Sequence, residues 1–275
     1  MSHRKVGAGR GAGWIVEGFD VVRQNFGSFA GIAVVFGAIG ALPLLNLVVG
    51  MLNHVFYAGM VSATRDQVEG RPAQIGQVFD GFSRPGAFLR LLPIVVVNVV
   101  VSLVLLVVFL GLVGVQPLMS IMAGNEPSQA ETMALLAGVL KAMVVAIPVG
   151  LLLWWTLFLA TPLAMLDESL SGWTAIRRAF SAMWANIGAL IVNLLCWIVI
   201  GLVLTIAAGI VGVLGGLLGA GLGLVVQIVV NAVMLAVVMI LVGPSMYRAA
   251  SEIFELDPQA PTAASSGPDE TTAAF

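Results

Sequence analysis

The chain is poor in the groups that most soluble proteins depend on. Of its 275 residues only 9% are charged, where soluble domains carry about 25%. It has a single cysteine, Cys196, so no intramolecular disulfide can form and no cysteine-based metal site is suggested. Cys196 lies inside an apolar run and reads as a small buried hydrophobe. There are two histidines and two tyrosines. No Ser/His/Asp grouping and no His/Glu cluster at metal-ligand spacing occurs, and there is no polar domain to hold a catalytic site, so no enzymatic activity and no cofactor is expected. Basic residues form no dense patch, which argues against nucleic-acid binding.

Apolar residues dominate instead. Sixty per cent of the chain is hydrophobic and the mean hydropathy is +1.06. That much apolar surface needs a bilayer to cover it, and a span needs about 20 mainly apolar residues. The runs predict an all-α polytopic membrane protein with six spans, near residues 26–45, 47–63, 88–115, 132–165, 187–210 and 224–246. The first run is long and preceded by a polar lead, unlike the short core of a cleaved signal peptide, and reads as a permanent span. Residues 1–13 read as a disordered basic N-terminus, 14–250 as a single membrane domain and 251–275 as a disordered tail. Ser128 and Glu131 have the spacing of a capping box at the start of the fourth span, and Pro148 and Pro162 are expected to kink or end that helix locally.

The most distinctive stretch is Gly172–Leu190, GWTAIRRAFSAMWANIGAL, an amphipathic segment with two arginines that ends in Asn-x-Gly and runs into a span. Weaker versions occur at Gly18–Phe29 and Gly81–Leu92, with Phe19 matching Phe180, Asn25 matching Asn186 and Gly27 matching Gly188. Each reads as an interfacial helix (residues 14–25, 74–84 and 172–186) feeding an outward and then an inward span, a unit used three times. Trp14, Trp173 and Trp184 suit interfacial anchoring, whereas Trp154 and Trp155 fall within a span. With six spans, 11 of the 12 basic residues fall on the side of the termini and only Lys141 elsewhere, so both termini are expected in the cytoplasm.

The segment Ala160–Val192, ATPLAMLDESLSGWTAIRRAFSAMWANIGALIV, resembles a motif of bacterial inner-membrane families. These are YciC-type uncharacterised proteins and the membrane domain found beside glycerophosphodiester phosphodiesterases. The opening Gly9–Gly27 is similar to that of uncharacterised six-span proteobacterial proteins in the same group. The resemblance implies a polytopic helical fold in the bacterial inner membrane. The phosphodiesterase's catalytic domain has no counterpart here, so its activity is not implied.

Among single residues, His54 stands out as an ionisable group inside a span, either a proton or solute site or a neutral inter-helix hydrogen-bonding partner. Asn98, Asn193, Gln227 and Asn231 are polar groups at membrane depth that could join His54 in a polar path or tie helices together. Gly201, Gly209, Gly212, Gly216, Gly219 and Gly223 carry small-xxx-small spacings that favour close helix approach. Arg177 and Arg178 are candidate lipid-headgroup contacts. The expected partners are membrane lipids together with a membrane-protein partner or a second copy of the chain. The leading functional expectation is a non-enzymatic scaffold organising such partners in the envelope. The alternative is a transporter or channel for a small solute.

Overall fold

The computed structural model describes residues 3–41, 43–124, 128–217 and 219–256, and among them there are helices and turns but no strand. In order, α1 is Arg10–Gln24, α2 Phe26–Ala41, α3 Pro43–Met51 and α4 Asn53–Val68. A 3-10 turn, Ile75–Phe79, leads into the short α5, Asp80–Ser83. Then come α6, Ala87–Val113, α7, Val115–Met122, α8, Gln129–Leu166, α9, Gly172–Ala185, α10, Ile187–Gly216, and α11, Ala220–Phe254.

Local chemistry accounts for several boundaries. The Ser128 hydroxyl accepts from the Glu131 amide while Glu131 reaches back to the Ser128 amide, so the expected capping box opens α8. Ser171 caps α9 by accepting from the Thr174 amide. Gly219, at φ +95°, makes the turn between α10 and α11, a conformation that side chains disfavour. Helix α8 runs unbroken through Pro148 and Pro162. The elbow between α1 and α2 bends by 102° at Asn25.

Six spans are not what the helices provide. Among the described residues four helices, α6, α8, α10 and α11, are long and apolar enough to cross a membrane, or five if the bent pair α1 and α2 counts as one. The first two expected spans fall short because their segments are broken. Helices α2 and α4 have 16 residues each, about 24 Å of rise against a hydrocarbon core of about 30 Å. The expected disordered ends are also shorter than read from composition. Arg10–Gly13 belong to α1, the Arg4 amide donates to the Ile253 carbonyl, and α11 continues to Phe254. Residues 257–275 lie outside the described set.

Burial is concentrated at one end of the bundle. In α8 every residue from Trp155 to Met165 is buried, in α4 every residue from His54 to Thr64, and in α11 most from Val242 to Phe254. The remainder of the long helices is open: in the most apolar stretch of α10 no residue is buried, and in those of α6 and α8 11% are. Helices α4, α8 and α11 each touch the other two and form the centre of this packed end. Around them, α1 packs on α10 and α11, α9 packs on α6 and α8, and the 3-10 turn packs on α2 and α4.

Close approach at this end depends on missing side chains. A Cβ on Gly59 of α4 would lie 2.4 Å from the Gln77 carbonyl oxygen and 2.5 Å from that of Val78. On Gly18 of α1 it would meet the Ser245 nitrogen at 2.7 Å. By contrast, Gly201, Gly209, Gly216 and Gly219 have nothing within 4 Å, so those expected small-residue contacts are not made, while Gly212 and Gly223 face α11 and α10 across the α10–α11 turn. Gly59→Ala should therefore destabilise the fold by about 1–3 kcal/mol, the cost of overpacking, whereas Gly201→Ala should be neutral or better. Thermal unfolding of the two variants in one detergent checks the contrast.

Candidate functional site

The polar side chains of the packed end form three clusters, each built by α4 or α11 against its neighbours. The deepest surrounds His54. Its Nδ1 lies 3.1 Å from the Thr161 hydroxyl oxygen, and Thr161 donates its own proton to the Leu157 carbonyl at 2.8 Å. Since that hydroxyl has one hydrogen, it accepts from the histidine, which places the imidazole proton on Nδ1. The ring sits edge-on to Phe158 at 5.1 Å, and Phe158 also contacts Tyr57 at 4.6 Å and stacks with Trp154 at 4.1 Å. The Tyr57 hydroxyl and Asn53 Oδ1 are buried without a hydrogen-bond partner among the described residues. This corner of α4 therefore holds one satisfied polar pair and two unsatisfied groups inside an aromatic wall.

The second cluster fastens the other end of α4. Asp80 accepts from the Ser62 hydroxyl and from Arg84 Nε at 3.0 Å, and Arg84 Nη2 also donates to Ser62 at 2.5 Å. Beyond it, Arg71 bridges Asp66 and Glu69, Arg65 holds Glu69 at 2.7 Å, and Gln77 donates to Asp66 at 2.5 Å. The hydrogen bonds from Arg65 and then Arg71 keep the Glu69 carboxyl below its ordinary range. Asn25, at the α1–α2 elbow, donates to Gln67 Oε1 and to the Ala73 carbonyl. These bonds tie residues 69–84 to one another, to α4 and to the α1–α2 elbow.

The third cluster joins the two ends of the chain. Glu252 of α11 accepts two bonds from Arg10 Nε, at 2.8 and 2.9 Å, and one from Trp14 Nε1 at 2.7 Å, while Arg10 also pairs with Glu17 at 2.7 Å. Trp14 is fully buried in consequence and is not at the lipid interface as its indole suggested. Asn186, the elbow residue matching Asn25, donates to the Arg4 carbonyl and accepts from the Val6 amide. Asn193 is buried and donates to the Gly11 carbonyl at 3.0 Å.

The expected polar residues thus have separate neighbours. His54 pairs with Thr161, Asn193 with α1, and Asn98 reaches the Gly50 carbonyl at 3.5 Å. Gln227 and Asn231 are exposed on α11 and bonded to each other at 3.1 Å. Asn98 also lines an open apolar groove of about 650 Å³ between α3 and α6, with Leu47, Met51 and Ser102. Cys196 is partly exposed. Trp155 is buried and Trp154 half-exposed, whereas Trp173 and Trp184 stand out from α9. Among the described residues no three His, Cys, Asp or Glu side chains gather as a metal site.

Two clusters escaped sequence reasoning. The Asp80–Arg84 pair carried a signal, opposite charges four apart on a helix, but its closure through Ser62 is a long-range contact. The Arg10–Trp14–Glu252 clasp joins residues over 230 apart and has no local signature.

If Thr161 is the partner of His54, Thr161→Val leaves the shape intact and the buried imidazole donor unpaired. That should cost about 1–3 kcal/mol, and a melt compared with Thr161→Ser, which keeps the hydroxyl, should show the loss only in the valine variant. No protein-family model matches the chain, and no curated protein or solved structure does either.

Proposed function

We propose that this protein is a non-enzymatic integral membrane scaffold that organises lipid or protein partners of a bacterial inner membrane, with both termini in the cytoplasm. The observation that carries this reading is the division of the molecule. Its polar groups are concentrated in internal ties at the basic end, while the outer halves of α6, α8, α10 and α11 present open apolar faces. Such faces suit lipid or the helices of another membrane protein.

In this reading α6 runs outward, α8 inward, α10 outward and α11 inward. The broken segment α2–α3–α4 enters the bilayer part-way and returns. An even number of crossings is kept, so the basic residues stay with the termini as the positive-inside rule requires. The threefold repeat also gains support. Each amphipathic element packs on the pair of helices that precedes it, the first closing onto the last: the 3-10 turn on α2 and α4, α9 on α6 and α8, and α1 on α10 and α11. The inward helices of the three units, α4, α8 and α11, meet at the centre.

A second reading, passage of a small solute, has one observation in its favour: the unpartnered Tyr57 hydroxyl and Asn53 carbonyl are buried beside His54 on the same helix. Proton flux into proteoliposomes that is lost in His54→Ala would favour it.

Single cysteines on a Cys196→Ala background test the membrane arrangement. Ala123→Cys should react with an impermeant maleimide from the outer face, Arg71→Cys only from the inner face, and Met51→Cys from neither. Outer labelling of Met51→Cys would show a full first hairpin and restore six spans.

A further inference from the structure

We infer that the outward face of α9, with Arg177 at its middle, binds the headgroup of an anionic phospholipid in the cytoplasmic leaflet. The inference deepens the scaffold reading and rests on its placement of α9 at the membrane surface.

Helix α9 buries Ala175, Ala179, Ala182 and Met183 against the protein. On the opposite side Trp173, Phe180 and Trp184 are 55%, 48% and 51% exposed. At 100° per residue these three and Arg177 fall within a stripe about 60° wide. A stripe of three exposed aromatic side chains is suited to the boundary between acyl chains and headgroups. A guanidinium among them lies at phosphate depth, where it can give two parallel hydrogen bonds to phosphate oxygens.

Charge decides between this face and its counterpart on α1. There Phe19 is also exposed, but Arg23 has Asp20 one turn away at 4.0 Å. Helix α9 contains two arginines and no acidic residue. Neither Arg177 nor Arg178 makes a hydrogen bond or ion pair within the described residues, whereas Arg10, Arg65, Arg71 and Arg84 are all held by carboxylates. Of the two acidic residues just before α9, Asp167 is turned into its own loop, accepting from the Ser169 amide and hydroxyl, and Glu168 is exposed at the far end from Trp184. At the other end Asn186 holds the backbone of Arg4, so that exposed Arg4 and Lys5 join the same edge. The excess of positive charge has no internal partner, and the lipid phosphate supplies one.

The test titrates delipidated wild-type protein with phosphatidylglycerol and, separately, phosphatidylcholine, counting retained lipids by native mass spectrometry. Wild type should retain phosphatidylglycerol about tenfold more strongly, as one charge-assisted contact allows. Arg177→Gln/Arg178→Gln should lose that preference, and Arg23→Gln should keep it. Because Arg177 is exposed, Arg178 half-buried and neither is held by a carboxylate, the double variant should melt with wild type. Equal retention of the two lipids by wild type, or an undiminished preference in the double variant, overturns the site. A bimane label on Phe180→Cys, in the Cys196→Ala background, separates this from the underlying reading. Quenching by headgroup-borne quenchers without lipid selectivity removes only the headgroup site. Absence of quenching removes the surface placement of α9 and the site with it.

Discussion

The whole architecture depends on helices meeting backbone to backbone at the basic end of the bundle. Gly11 of α1 abuts the Ala189 carbonyl, Gly81 the Val55 carbonyl, and Gly172 the Arg90 carbonyl, each so closely that a Cβ would fall within 2.2 Å of the oxygen. Lipid cannot drive such contacts by the hydrophobic effect, because acyl chains are as apolar as leucine; packing and hydrogen bonds must do it. Small residues let the packing begin, and the polar ties around Asn25, Asp80, Asn186 and Glu252 complete it. The far halves of the long helices have fewer such contacts, Gly138 of α8 against the Leu112 carbonyl of α6 among them, and remain largely open.

Much of this was legible in the sequence. The helical period marks 14–25 and 172–186, where α1 and α9 form, whereas the helix expected over 74–84 is a 3-10 turn and the four-residue α5. The Asn25–Asn186 correspondence marks two elbows at which each side chain ties down a distant segment. The capping box at Ser128 follows from spacing alone. The number of crossings was misread for a physical reason. An apolar run reports that a segment avoids water, and it does not say whether lipid or protein surrounds it. Helix α4 is enclosed by protein, every residue from His54 to Thr64 being buried, and its 16-residue length and its Asn53, His54 and Tyr57 are the clues.

The same ambiguity governs single residues. Trp14 and Trp184 look alike in an amphipathic segment, yet one donates to Glu252 in the interior and the other is exposed. The difference lies in a carboxylate contributed by the far end of the chain. Gln227 and Asn231 read as inter-helix ties, and they satisfy each other on an open face instead. His54 stands out in the sequence as an ionisable residue within an apolar run, but its partner Thr161 is visible only once α4 and α8 are brought together. Local pattern identified the elements, and long-range contacts assigned the polar side chains.

The amphipathic helix α1 closes the ring by docking onto α10 and α11, the last two described helices. A Cβ on Gly188 would lie 3.7 Å from that of Ala8, within the range of about 3.5–4.5 Å that a disulfide requires. Ala8→Cys/Gly188→Cys, in a Cys196→Ala background, should form an intramolecular disulfide in native membranes under mild oxidation, with thermal stability retained. Two freely alkylated thiols under the same conditions would contradict it.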